Sequence, residues 1–160
     1  GSPAIYDIVR RLRNHRVQLI VICGRNEKLR RKVAGLRRDL PMHVEGFTNE
    51  MPRFMRAADF MIGKPGPGSI SEALAMQLPV IVERNAWTLP QERYNTDWVR
   101  ERKLGIVVPS FRQVGAAVDE LLRPETYACL RANVAALRNR AVFEIPAILD
   151  RIRASWEKPQ

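Results

Sequence analysis

Short β-branched runs alternate with helical stripes along almost the whole of this chain, and that alternation leaves few folds open. Residues 17–23, 43–46, 60–62, 79–83 and 106–108 read as strands. Apolar residues recur at helical spacing over 4–14, 27–36, 51–58, 69–77, 90–103, 112–122, 124–140 and 145–156. Strands joined through helices lie parallel, with helices on both faces. The expected fold is α/β, a Rossmann-like doubly wound parallel sheet. Such a domain usually opens with its central strand, whereas this chain opens with a helix. A first strand and its turn are therefore expected upstream, with Gly1-Ser2 either a tag remnant or the end of a glycine loop.

Ligands of doubly wound sheets sit outside the carboxyl ends of the strands. The most informative turn lies at such an end: Gly63-Lys64-Pro65-Gly66-Pro67-Gly68-Ser69-Ile70-Ser71-Glu72. Three glycines and two prolines shape a turn that a ligand can approach closely. The helix behind it aims unpaired N–H groups and its positive end at the turn, which suits a phosphate or diphosphate. An ATPase phosphate loop fits poorly, because Lys64 precedes the Gly66 and Gly68 turn instead of following it. The dinucleotide fingerprint lacks its third glycine. A bland reading competes: Ser69-x-x-Glu72 is a capping box that would spend both side chains on their own helix.

Three further segments sit at strand ends. Gln91, Glu92 and Asn95 cluster in the first turns of a helix and could bracket a hydroxyl-rich group, or serve only helix-start electrostatics. After the first strand, Arg25 and Asn26 offer donors to a phosphate or base, with Asn26 equally suited to cap a helix. Gly46-Phe47-Thr48-Asn49 could meet a base edge through its backbone, or Asn49 could cap the next helix.

At 160 residues and 46% hydrophobic, the chain has the size and apolar content of one domain with its own core. No run approaches the ~20 apolar residues of a membrane span, and no secretory leader is visible. Cys23 and Cys129 form neither a CxxC pair nor a disulfide framework, which fits a reducing, cytoplasmic setting. His15 and His43 lack ligand-spaced partners, so no metal site is expected. No Ser/His/Asp set or GxSxG is present. Lys plus Arg is 27 against 17 Asp plus Glu, a formal +10. Much of that excess lies early, at Arg10, Arg11, Arg13, Arg16, Arg25, Arg30, Arg31, Lys32, Arg37 and Arg38. Such a surface can be a solvated face or can attract nucleic acid, an anionic membrane or a phosphorylated small molecule. The region from Arg10 to Arg38 contains no aromatic residue, which counts against stacking on nucleic-acid bases.

Val21-Ile22-Cys23-Gly24-Arg25-Asn26, Gly46-Phe47, Lys64-Pro65-Gly66-Pro67-Gly68-Ser69-Ile70-Ser71-Glu72-Ala73, Leu78-Pro79-Val80-Ile81 and Gln91-Glu92-x-x-Asn95 occur in that order. Together they resemble the C-terminal half of glycosyltransferase family 28. That family contains the galactosyl- and glucosyltransferases of diacylglycerol and the N-acetylglucosaminyltransferase of peptidoglycan synthesis. The resemblance runs from about Val17 to Val108, and its glycine–proline turn is the specific part. It implies the C-terminal, donor-binding half of a GT-B fold, one nucleotide-sugar-binding domain spanning residues 1–160, lacking its first strand.

The resemblance also implies roles. Gly66, Gly68 and Ser69, with Lys64 beside them, would meet the diphosphate of a UDP-hexose, and Glu72 the ribose hydroxyls. Backbone groups near Phe47 and Thr48 would read uracil, with Arg25 and Asn26 nearby. Gln91, Glu92 and Asn95 would hold the hexose. No metal or other cofactor is implied, since UDP-sugar is a substrate. The acceptor, a lipid such as diacylglycerol, and the catalytic base would belong to an N-terminal domain outside this chain, leaving the chain alone inactive. A cytoplasmic enzyme peripheral to an anionic membrane is the expectation. Its rivals are a Rossmann-like module that binds nucleic acid through basic residues, and a UDP-sugar epimerase, whose usual carboxylates and histidines have no evident counterparts here.

Overall fold

The computed structural model describes residues 4–36, 40–138 and 141–156. Gly1, Ser2, Arg37, Arg38 and Arg140 lie outside the described residues, and with them the tag question, one basic pair and the expected end of one helix. Chain order is α1 (Ala4–Leu12), β1 (Leu19–Ile22), α2 (Glu27–Ala34), β2 (Met42–Glu45), α3 (Met51–Arg56), β3 (Met61–Gly63) and α4 (Pro67–Ala75). There follow β4 (Val80–Glu83), α5 (Pro90–Glu101), β5 (Gly105–Val108), a 3-10 turn (Phe111–Gln113), α6 (Val114–Leu121), α7 (Pro124–Ala136) and α8 (Ala141–Trp156).

All strand pairings are parallel, as the alternation requires. They fall into two sheets: β1 with β2, and β3-β4-β5 with β4 central. In the doubly wound order 3-2-1-4-5-6, these five strands take positions 3-2 and 4-5-6.

β4 shows why the core forms. Val80, Ile81 and Val82 are all buried, as befits a strand covered on both faces. Val80 and Val82 pack with Ile70, Ala73 and Leu74 of α4 and Val99 of α5. Ile81 points to the other face, among Leu12 of α1, Val114, Val118 and Leu121 of α6, and Leu130 of α7. α1 joins the two sheets. Its Val9 belongs to the cluster over β1 and β2, while Leu12 belongs to the cluster under β4 and β5.

The histidines serve the fold. His15 Nδ1 lies 2.9 Å from Asp119 Oδ1 of α6, and His43 stacks on Phe54 with ring centroids 5.6 Å apart. Both cysteines are free thiols, and burial pushes the Cys23 thiol up. No helix among the described residues is long and apolar enough to cross a membrane. α8 turns Ile145, Ile148, Leu149, Ile152 and Trp156 to solvent.

Candidate functional site

The glycine turn links β3 to α4, and its geometry differs from the capping-box reading. The N-cap of α4 is Gly66, with φ −66° and ψ 137°, and Pro67 takes the first helical position, where its missing N–H costs nothing. Ser69 is therefore the third helical residue, not the cap. Its hydroxyl donates to the Gly66 carbonyl at 3.2 Å, and the Glu72 side chain is exposed and has no partner among the described residues. A capping box needs Ser at the cap position and Glu three residues on, so none forms here.

Two consequences follow for anion binding. Among the described residues no side chain caps α4, so the N–H groups of Gly68 and Ser69 point out of the helix end without a partner there. Gly68 is also open: a Cβ built on it would meet no atom within 4 Å. A bare backbone, two free donors and the positive helix end face solvent at one point. Lys64, exposed and outside any ion pair among the described residues, adds a positive charge beside them.

α5 closes one side of this turn. Pro90 sits in its first turn, and Glu92 and Asn95, three residues apart, share the face toward the glycines. Asn95 Nδ2 donates to the Pro65 carbonyl at 2.9 Å, and Glu92 Oε1 lies 4.0 Å from the Cβ position of Gly66. Gln91 is exposed beside them. The loop entering α5 is built by its own polar groups. Asn85 Oδ1 accepts the Trp87 N–H at 2.8 Å, Thr88 Oγ1 accepts the Asn85 N–H at 2.9 Å, and Arg93 donates to the carbonyls of Thr88 and Ala86. Trp87 is left 90% exposed at its tip. Thr88 and Arg93 were not among the sequence candidates, although Asn85-x-x-Thr88 is a recognisable turn pattern.

The other candidates gather at the ends of β1 and β2. The Arg25 guanidinium lies 4.8 Å from the centroid of the Phe47 ring, which is 58% exposed. Asn26 Oδ1 caps α2 by accepting the Leu29 N–H at 3.0 Å. Thr48 Oγ1 accepts the Glu50 N–H at 2.9 Å, and Glu50, not Asn49, stands at the cap of α3. Glu27 accepts from Arg30 and Arg31, and those bonds lower its carboxyl to about 2, so these two arginines are already paired. Glu45 accepts the Gly46 N–H at 2.8 Å, which holds its carboxyl below the ordinary value. Arg25, stacked on Phe47, forms no ion pair among the described residues.

All twelve candidates thus lie at the carboxyl ends of the strands, in two groups. Arg25, Asn26, Phe47 and Thr48 stand beyond β1 and β2. Lys64, Gly66, Gly68, Ser69, Glu72, Gln91, Glu92 and Asn95 stand beyond β3 and β4. No hydrogen bond or ring contact among the described residues joins the groups, which flank the point where the strand order reverses.

Residues 3–86 match the model of the glycosyltransferase family 28 C-terminal domain. The chain belongs to that family. The matched span of this family 28 domain contains β1 to β4 and the glycine turn. The domain is 37% identical over 131 residues to the probable monogalactosyldiacylglycerol synthase of Glycine max, covering 80% of this chain and 24% of the relative. It is 34% identical over 138 residues to the monogalactosyldiacylglycerol synthase of Spinacia oleracea, covering 84% and 26%. Among solved structures, MurG of Acinetobacter baumannii superposes with a TM-score of 0.70 at 15% identity, over 94% of this chain and 47% of MurG. WaaG, a glycosyltransferase involved in lipopolysaccharide biosynthesis, gives 0.53 at 15% identity, over 93% of this chain and 51% of WaaG. At that identity the structures speak for the fold, a GT-B C-terminal half. The chain spans about a quarter of the curated relatives' length.

Proposed function

We propose that this domain holds the UDP part of a UDP-hexose for a hexosyltransferase whose acceptor is a lipid such as diacylglycerol. The observation that carries the reading is the uncapped start of α4: the Gly68 and Ser69 N–H groups are free, and Glu72 is not spent on its own helix. The diphosphate lies on those two N–H groups, with the Ser69 hydroxyl and Lys64 beside it. Glu72, one turn further along α4, accepts from the ribose hydroxyls, for which a carboxylate has acceptors enough. Uracil meets the backbone of Phe47 and Thr48 across the reversal point, close to the Arg25–Phe47 pair and Asn26. Gln91, Glu92 and Asn95 take the hexose hydroxyls. Charge that develops on the departing UDP is stabilised by these fixed donors and by the dipole of α4, in the place of a metal ion.

The acceptor site and catalytic base belong to the remainder of a longer protein, so this chain binds donor without turning it over. Arg10 and Arg11 of α1, exposed and in no ion pair among the described residues, favour peripheral association with an anionic membrane.

Calorimetric titration of the chain with UDP tests the reading. Saturable binding that Glu72→Ala weakens about 10- to 100-fold, with an unchanged melting temperature, is the expected result, because a hydrogen-bonded charge is lost from an exposed position. Equal UDP affinity in Glu72→Ala would remove Glu72 from the site. Salt-sensitive binding to random oligonucleotides without a UDP response would favour the nucleic-acid module.

A further inference from the structure

We propose that Asn95 is a positioning residue for the diphosphate turn, holding the Pro65–Gly66 peptide so that the start of α4 presents its N–H groups in one fixed orientation. This rests on the reading of that turn as the UDP site and assigns Asn95 a task beyond touching the hexose.

Pro65 and Pro67 each have φ fixed by their rings. Lys64 and Gly66 each precede a proline and are biased to extended ψ, as the 137° of Gly66 shows. The freedom left between Lys64 and the helix is ψ of Pro65 and φ of Gly66. Those two torsions flank a single planar peptide unit, and rotating about either swings the Pro65 carbonyl. Asn95 Nδ2 donates to that carbonyl at 2.9 Å, across thirty positions of sequence. The acceptor is a carbonyl, so the amide must turn its nitrogen toward it. One bond from a helix in the core therefore closes the last soft joint of the turn.

Its placement suits this purpose. Pro65 is buried and Asn95 half-buried, so water competes less for the bond than at an exposed site. Gly66 offers no side chain to cap α4, and no other side chain among the described residues caps it. Without the clamp, the glycine could swing the peptide and tilt the Gly68 and Ser69 donors away from the ligand. The Asn95 Oδ1 and second N–H have no partner among the described residues, so the side chain can also meet a hexose hydroxyl. The two ends of the ligand are then coupled through one side chain.

UDP alone separates this role from simple hexose contact, because UDP has no hexose. Asn95→Ala removes the clamp. Asn95→Asp keeps the size and an acceptor but sets a carboxylate against the Pro65 carbonyl. Calorimetry with UDP and with UDP-glucose should show both variants binding UDP itself about three- to tenfold more weakly than the unaltered chain. Amide resonances of Gly66, Gly68 and Ser69 should shift and broaden in the ligand-free variants as the Pro65–Gly66 peptide samples more than one orientation, a change that a hexose contact alone does not produce. UDP affinity and turn resonances equal to the unaltered chain, with only UDP-glucose weakened, would overturn the proposal. If neither variant folds, the unaltered chain still decides. One Asn95 side-chain amide proton must stay protected from exchange both free and with UDP-glucose bound, and rapid exchange of both protons rejects the clamp. An unaltered chain that fails to bind UDP sinks the function reading as well, whereas normal binding with indifferent variants sinks only the role of Asn95.

Discussion

Two glycines at opposite ends of the same sheet are present for opposite reasons. Gly105 opens β5 at the amino end, and a Cβ there would stand 1.9 Å from the Val80 carbonyl oxygen. Gly68 lies beyond the carboxyl end, and a Cβ there would touch nothing. Their surroundings differ in the same sense. At the amino end, Gln77 and Lys103 take left-handed conformations, at φ 60° and 52°, where α4 and α5 stop. α7 bonds both carbonyls, Arg131 to Gln77 and Asn133 to Lys103. At the carboxyl end, no side chain among the described residues caps α4 or pairs with Lys64 or Glu72. Glycine where neighbours leave no room is a packing requirement. Glycine where they leave ample room points to something that arrives later.

The contrast can be broken most forcefully at Gly105. A methyl group there meets backbone, which cannot turn aside, so β4 and β5 must part. Gly105→Ala should cost roughly 3 kcal/mol or more in denaturant unfolding. A loss under about 1 kcal/mol would show that the amino end is looser than described. Gly68→Ala should move two readouts in opposite directions. Melting temperature should hold or rise, by about 0.5 kcal/mol in stability, because alanine suits a helix better than glycine. UDP affinity should fall about tenfold, because the methyl occupies the space over the free N–H groups. Undiminished affinity would make Gly68 as incidental as its open surroundings allow. The smallest effect belongs to Asn133→Ala, which releases the Lys103 carbonyl. It should cost about 1 kcal/mol and leave UDP binding unchanged, and any change in binding would mean the two ends communicate.

The alternation of elements was legible because buried parallel strands are unbroken apolar runs and the helices carry stripes. The start of α4 was not, because two local rules compete there. Ser69-x-x-Glu72 satisfies a capping box, and Pro67 satisfies the first helical position. Which rule wins depends on the conformation of Gly66, and Asn95 acts on that glycine from thirty residues away. Neighbouring residues cannot report such a contact. Asn26 was readable as a cap because its partner, Leu29, is local. At α3, Thr48 bonds the Glu50 N–H while Asn49 is left exposed, a choice between adjacent polar residues that sequence pattern does not make. The end of α7 was read too late: the helix stops at Ala136, and Leu137 is extended at ψ 122°.

The unpaired edges of β1 and β3 carry a consequence in time. Leu19 and Cys23 donate toward β2, and Met61 donates toward β4. N–H direction alternates along a strand of a parallel ladder, so the Ile20 and Ile22 amides point away from β2 and the Ile62 amide away from β4, with no strand paired to them among the described residues. Ile20 is 38% exposed despite its place inside a strand. Hydrogen exchange along β1 should therefore read as a stripe, slow at one residue and fast at the next, while β4, bonded on both sides, stays slow throughout.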